Sequence, residues 1–97
     1  MSSKNKIVPA ITSLRDNNGE VPNGGSTPHT SLQLSGTAAF GDRVEIFDGS
    51  VAKGQVVVTA PGIWSFQLTG LTVGAHQVTA KNETGVSAPR SFVVIAR

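Results

Sequence analysis

No cysteine occurs among the 97 residues, so neither a disulfide framework nor a thiolate metal site is open to this chain. Its core must hold without covalent staples. Tyrosine is missing too, and the aromatic set is one tryptophan and four phenylalanines. Charged residues make up 14% of the sequence, against roughly 25% in an average soluble domain. Helical i, i+3, i+4 patterning is absent, and no apolar run approaches the roughly 18 residues of a membrane span. The opening Met-Ser-Ser-Lys-Asn-Lys lacks the hydrophobic stretch of a signal peptide. An exported parent would have to supply its signal elsewhere. These absences set aside a disulfide-bonded animal immunoglobulin domain, a helical bundle and a membrane-inserted segment.

What the chain does contain is β-strand and turn composition: 11 glycines, with valine, threonine and serine recurring throughout. Its length suits one domain, which buries roughly 60–65% of its unfolded surface in a modest core. We read residues 1–7 as a flexible leader and 8–97 as that domain. The formal net charge is +2, but Lys4 and Lys6 lie in the leader and Arg97 ends the chain. The remaining cations, Arg15, Arg43, Lys53, Lys81 and Arg90, are scattered over different segments. A nucleic-acid surface needs them gathered on one face, so nucleic acid is not an expected partner.

Short runs of alternating apolar and polar residues, broken by Gly, Asn, Asp or Pro every eight to twelve positions, predict antiparallel strands. Seven are expected: Pro9–Leu14, Ser31–Thr37, Arg43–Asp48, Lys53–Thr59, Ile63–Leu68, Ala75–Lys81 and Ser91–Ile95. Arg15 to Thr30 is read as a long irregular stretch, and the facing of Val56-Val57-Val58 is left open. Pro61-Gly62 reads as a turn, because proline presets the first angle and glycine supplies a positive one. Gly36 reads as a place where a strand bends or ends. Seven strands without a helix suit an immunoglobulin-like β-sandwich of two packed sheets. The expected core is Leu32, Leu34, Val44, Ile46, Trp64, Phe66, Leu68, Val78, Phe92 and Val94, with Ile11 also inward and Phe47 outward. Pro9, Pro61 and Pro89 look placed to blunt strand edges.

Several motifs follow one another along the chain: Ile11-x-x-Leu14-x-Asp16, Gly24-Gly25-x-Thr27, Leu32-x-Leu34-x-Gly36-Thr37-Ala38 and Val44-x-Ile46-x-Asp48-Gly49. After them come Gly62-x-Trp64-Ser65-Phe66, Leu71-x-x-Gly74-x-His76-x-Val78-x-Ala80 and Gly85-x-Ser87. In that ordered set, over roughly residues 8 to 95, the chain resembles the bacterial immunoglobulin-like (Big-type) modules repeated in tandem along large surface adhesins. The resemblance implies a rigid, non-catalytic bead with its ends at opposite poles, at the cell surface or outside the cell. Its partners would be neighbouring modules of the same parent chain, with a surface glycan or host protein engaged through other domains. In isolation it would be a monomer. No internal repeat occurs within the 97 residues.

Calcium is the one metal worth weighing, at Asp16, Asn18 and Glu20, because a hard cation takes several close oxygen ligands. Similar adhesin modules hold calcium at junctions near this loop. Here Asn17 stands where an acidic residue is usual, and residues that tolerate left-handed angles explain the same segment as a turn. No other cofactor is expected. His29 and His76 have no cysteine partner and no spaced carboxylate, and His76 reads as a rim residue beside Trp64 or bonded to a loop. No nucleophile motif surrounds any serine, so an enzyme is not expected. The alternative function is a carbohydrate-binding accessory module of a secreted enzyme or a phage structural protein, with Phe40 and Phe47 as stacking platforms.

Overall fold

The structure is a computed structural model describing residues 7–96. The leader expected over residues 1–7 lies outside those residues except for Ile7. Nine strands and no helix occur among the described residues. They are β1 (Ala10–Asp16), β2 (Gly19–Glu20), β3 (Gly25–Thr27), β4 (Leu32–Thr37), β5 (Arg43–Asp48), β6 (Val51–Val57), β7 (Ile63–Leu68), β8 (Gly74–Lys81) and β9 (Arg90–Val94). One sheet runs β2-β1-β4-β7 and the other β3-β9-β8-β5-β6. The immunoglobulin-like sandwich expected from the alternation is therefore present.

Alternation explains how the sheets close on each other. In β4, Leu32, Leu34 and Gly36 face inward while Gln33 stays in water, and β7 answers with Trp64 and Leu68. The facing sheet contributes Val44 and Ile46 from β5, Val78 and Ala80 from β8, and Phe92 and Val94 from β9. These side chains form one continuous core, to which Leu14, Val21, Ala38, Val58 and Leu71 also belong. At roughly 1.5–3 kcal/mol for each fully buried large apolar side chain, this core is the main favourable term. The single tryptophan satisfies its only polar atom within the same packing, since Nε1 donates to the Thr37 carbonyl at 3.1 Å.

Several expectations are corrected. Arg15 to Thr30 is not irregular throughout. β1 turns at Asn17-Asn18 into the two-residue β2, and Val21 is pinned by its N–H to the Leu14 carbonyl at 2.7 Å. The chain then crosses to the other sheet, where β3 runs parallel to β9 from Gly25 opposite Phe92 to Thr27 opposite Val94. Phe66 is only half-buried, because β7 is an edge strand and its ring is covered on one side by Gly54 of β6. Phe47 is half-buried as well, with the Lys81 ammonium 6.0 Å from its ring centroid. Ile11 faces inward as expected, half-buried against the core. The valine run resolves into a half-buried Val56, an exposed Val57 and a buried Val58. Of the three prolines expected at edges, Pro61 alone precedes an edge strand; Pro9 is buried before β1 and Pro89 precedes the internal β9. Gly36 is the penultimate residue of β4, and the register of the β1–β4 pair shifts beside it, between Ile11 and Ser13.

The turn at Pro61-Gly62 is present: the Gly62 N–H donates to the Thr59 carbonyl at 2.7 Å, and Gly62 takes the positive φ of 134° that disfavours a side chain. The two ends of the described chain lie at opposite poles. Residue 7 enters beside the β8–β9 loop, whereas β9 runs away from that loop and leaves past Val94. The long axis of the sandwich measures 52 Å, against 25 and 19 Å for the others.

Candidate functional site

The loop between β1 and β3 gathers most of the expected site residues, and the pleat then divides them. Successive strand residues point to opposite faces, so Asp16 turns inward with Leu14 while Arg15 and its cross-strand partner Glu20 turn out. Asp16 reaches across the rim of the sandwich, where its Oδ2 accepts the Thr27 hydroxyl at 2.6 Å and its Oδ1 accepts the Asn18 N–H at 2.7 Å. Thr27 is fully buried, and its oxygen also accepts the His29 N–H at 3.1 Å. Asn18 offers its side-chain amide to the His29 ring at 3.5 Å. Glu20 serves a different set: the Ser13 hydroxyl at 2.8 Å, the Leu14 N–H at 3.4 Å and the Arg90 guanidinium at 2.9 Å. The structure thus places Asp16 and Asn18 together and Glu20 apart. Among the described residues no three His, Cys, Asp or Glu side chains converge as a metal cluster.

These bonds act on the carboxyls directly. The Thr27 hydroxyl above all holds Asp16 below the ordinary 3.8, against the opposing effect of burial, and the Asn18 N–H and nearby His29 add to it. Ser13 leads in lowering Glu20 below the ordinary 4.5, joined by the Leu14 N–H and by Arg90. Groups lowered on folding bind fewer protons than in the unfolded chain. Their stabilisation is complete above the ordinary values and is lost as pH falls through the lowered ones. Urea midpoints measured from about pH 6 down to about pH 2 should therefore drop for the wild type and drop less for Asp16→Asn and Glu20→Gln. Parallel curves would remove this account. Thr27→Val keeps the shape but strands the Asp16 oxygen and the His29 N–H, and should cost about 1–3 kcal/mol in the same assay at neutral pH.

His76 does not pack beside Trp64. Its ring stacks on Phe92 with centroids 5.2 Å apart and planes 16° from parallel. Nδ1 lies 2.7 Å from the Asp48 carboxylate, and Nε2 lies 2.7 Å from the Thr72 carbonyl. The ring thus ties the end of β5 to the β7–β8 corner, the loop-bonding role expected of it. A histidine–carboxylate pair invites a general-base reading, but a base must present its free nitrogen to a substrate proton. Here that nitrogen is occupied by a backbone carbonyl.

Sequence reasoning missed three anchoring side chains. Arg90 of β9 donates to Glu20 and to the Val21 carbonyl at 2.8 Å, clamping the crossing between sheets. Its Nε is buried without a partner. Asn82 is buried and uses its whole amide: Nδ2 donates to the Ile7 carbonyl at 2.9 Å and to Asp42 at 2.7 Å, while Oδ1 accepts the Thr84 and Gly85 N–H groups. Ser87, also buried, accepts the Ala80 N–H at 2.9 Å. A lone polar residue carries no local sequence signal of such long-range pairing. Of the two stacking candidates, Phe40 is 68% exposed in the β4–β5 turn, and Phe47 lies against Lys81 in β5.

No family model matches the chain, and no curated protein matches it. Among solved structures it is similar to the Clostridium thermocellum CbhA fibronectin(III)-like modules, at 18% identity and a TM-score of 0.56, over 87% of this chain and 97% of that one. The likeness bears on fold alone, a β-sandwich of the immunoglobulin-like and fibronectin(III) type.

Proposed function

We propose that the chain is a non-catalytic spacer module of a larger exported bacterial protein of the adhesin type, holding a binding domain away from the cell surface. The observation that carries this reading is the position of the two ends of the described residues at opposite poles of a 52 Å bead. Copies joined end to end then add their lengths. The entry point is built to bear load, because Asn82 fastens the Ile7 carbonyl to Asp42 and the β8–β9 loop. β1 runs away from the entry and β9 towards the exit, so tension between the two ends loads their inter-strand hydrogen bonds together in shear and does not open them one at a time. A neighbouring module of the same parent chain is the partner this arrangement suits.

The reading is tested by small-angle scattering on two copies joined head to tail through their own ends. A maximum dimension close to twice that of one copy supports a spacer. A folded-back pair with a dimension near that of one copy would count against it. Adding calcium in the same experiment asks whether Asp16 and Asn18 stiffen the joint. A melting temperature and scattering curve unmoved by millimolar calcium and by chelator would remove calcium from the account.

A further inference from the structure

One row of register partners crosses the outer face of the β2-β1-β4-β7 sheet, running Glu20, Arg15, Gln33, Gln67. Beside it lies a row of hydroxyls, Ser13, Ser35 and Ser65. Neighbouring strands stand about 4.8 Å apart, so Arg15 to Gln67 covers about 10 Å. A groove of about 310 Å³ opens over this stretch, with Arg15, Gln33, Ser35 and Gln67 on its floor and walls and Asp16 and Asn17 at one end. That volume is at the lower end of the range for small-ligand sites, about 300–1,000 Å³. Gln33 and Gln67 are exposed, whereas Glu20 is already engaged by Ser13 and Arg90.

The chemistry of the lining selects its ligand. Arg15 is paired with Glu20 at 3.9 Å and the Asp16 carboxylate is occupied by Thr27 and Asn18, so the lining offers no unpaired charge and favours a neutral molecule over an anion or a cation. Carboxamides and hydroxyls each donate and accept, as do the neighbouring hydroxyls of a saccharide. The three residues stand on successive strands in one register row, which suits an extended chain. No aromatic ring lines the groove, so affinity rests on hydrogen bonds exchanged with water and is expected to be weak, with a Kd on the order of 1 mM. We infer that this groove binds an extended neutral oligosaccharide lying across β1, β4 and β7 over the Arg15–Gln33–Gln67 row. The inference is independent of the spacer reading and moves the candidate sugar surface away from Phe40 and Phe47.

The test is a ¹⁵N-amide NMR titration of the intact chain with cellotetraose and xylotetraose, following the side-chain NH₂ signals of Gln33 and Gln67. The expected result is saturable movement of those signals and of the Arg15 and Ser35 amides with at least one of the two sugars. Gln33→Ala and Gln67→Ala, both at exposed positions, should each weaken binding about fivefold while leaving the melting temperature nearly unchanged. The inference is overturned by no saturable movement up to about 20 mM sugar, by equal movement with glycerol, by response to tetragalacturonate alone, or by shifts confined to Phe40 and Phe47.

Discussion

Gly36→Ala is expected to unfold the module or lower its stability by more than about 3 kcal/mol, although it adds one methyl group. A Cβ built on Gly36 would stand 2.0 Å from the Ala10 carbonyl oxygen and 2.4 Å from the Trp64 ring. The first neighbour is backbone, held in the β1–β4 ladder, and cannot rotate away. The second is the largest side chain of the core, opposite Gly36 in the β4–β7 register. Overpacking usually costs about 1–3 kcal/mol because the surroundings yield; here neither neighbour has room to do so. Urea unfolding of Gly36→Ala beside Ser35→Ala isolates the effect, since the adjacent serine lies on the outer face. Combining Gly36→Ala with Trp64→Phe should recover only part of the loss, because the Ala10 oxygen remains in the way. Wild-type stability for Gly36→Ala alone would contradict the packing described.

Trp64→Ala is the second large effect, expected at about 3–5 kcal/mol. Against a total of about 5–15 kcal/mol for a domain of this kind, it leaves the fold marginal. The ring is 1% exposed and spans the space above Gly36, so truncation opens a cavity that two hydrogen-bonded ladders hinder from collapsing. It also removes the donor that satisfies the Thr37 carbonyl. Trp64→Phe should cost clearly less, keeping an aromatic filler and losing that bond. Denaturant unfolding followed by circular dichroism reads both, and a loss below about 1 kcal/mol for the alanine variant would mean that the ring is not central to the core.

Both effects involve one residue whose place was legible and one whose role was not. Alternation put Trp64 on an inner face and located β5 and β7 to the residue, because a half-buried strand writes its period of two into the sequence. The partner across the ladder writes nothing local. A glycine inside a strand signals a bend, a bulge or a close approach, and only the register with Trp64 shows which applies to Gly36. β3 escaped for a related reason: three residues are too few to show a period, and their parallel partner β9 lies more than sixty positions later in the chain. Phe66 shares its face with Trp64 and Leu68, as the pattern indicated, yet its position on an edge strand leaves it partly open.

The candidate sites divide in the same way. The acidic loop was visible as a cluster of residue types, but the pleat that sends Asp16 inward and Glu20 outward depends on where β1 ends and β2 begins. Thr27 gave no sign that its hydroxyl would meet Asp16 across the sandwich rim. Gln33 and Gln67 are thirty-four positions apart in the chain, and only the β4–β7 register makes them neighbours.

The central claim is that the chain enters at one pole of a two-sheet sandwich and leaves at the other, and one distance tests it. Because the sequence contains no cysteine, Ile7→Cys with Ala96→Cys places two spin labels without background. Pulsed electron paramagnetic resonance should then give a narrow distribution approaching the 52 Å long axis. A distance near the 19–25 Å short axes would put both ends at the same pole and contradict the spacer account.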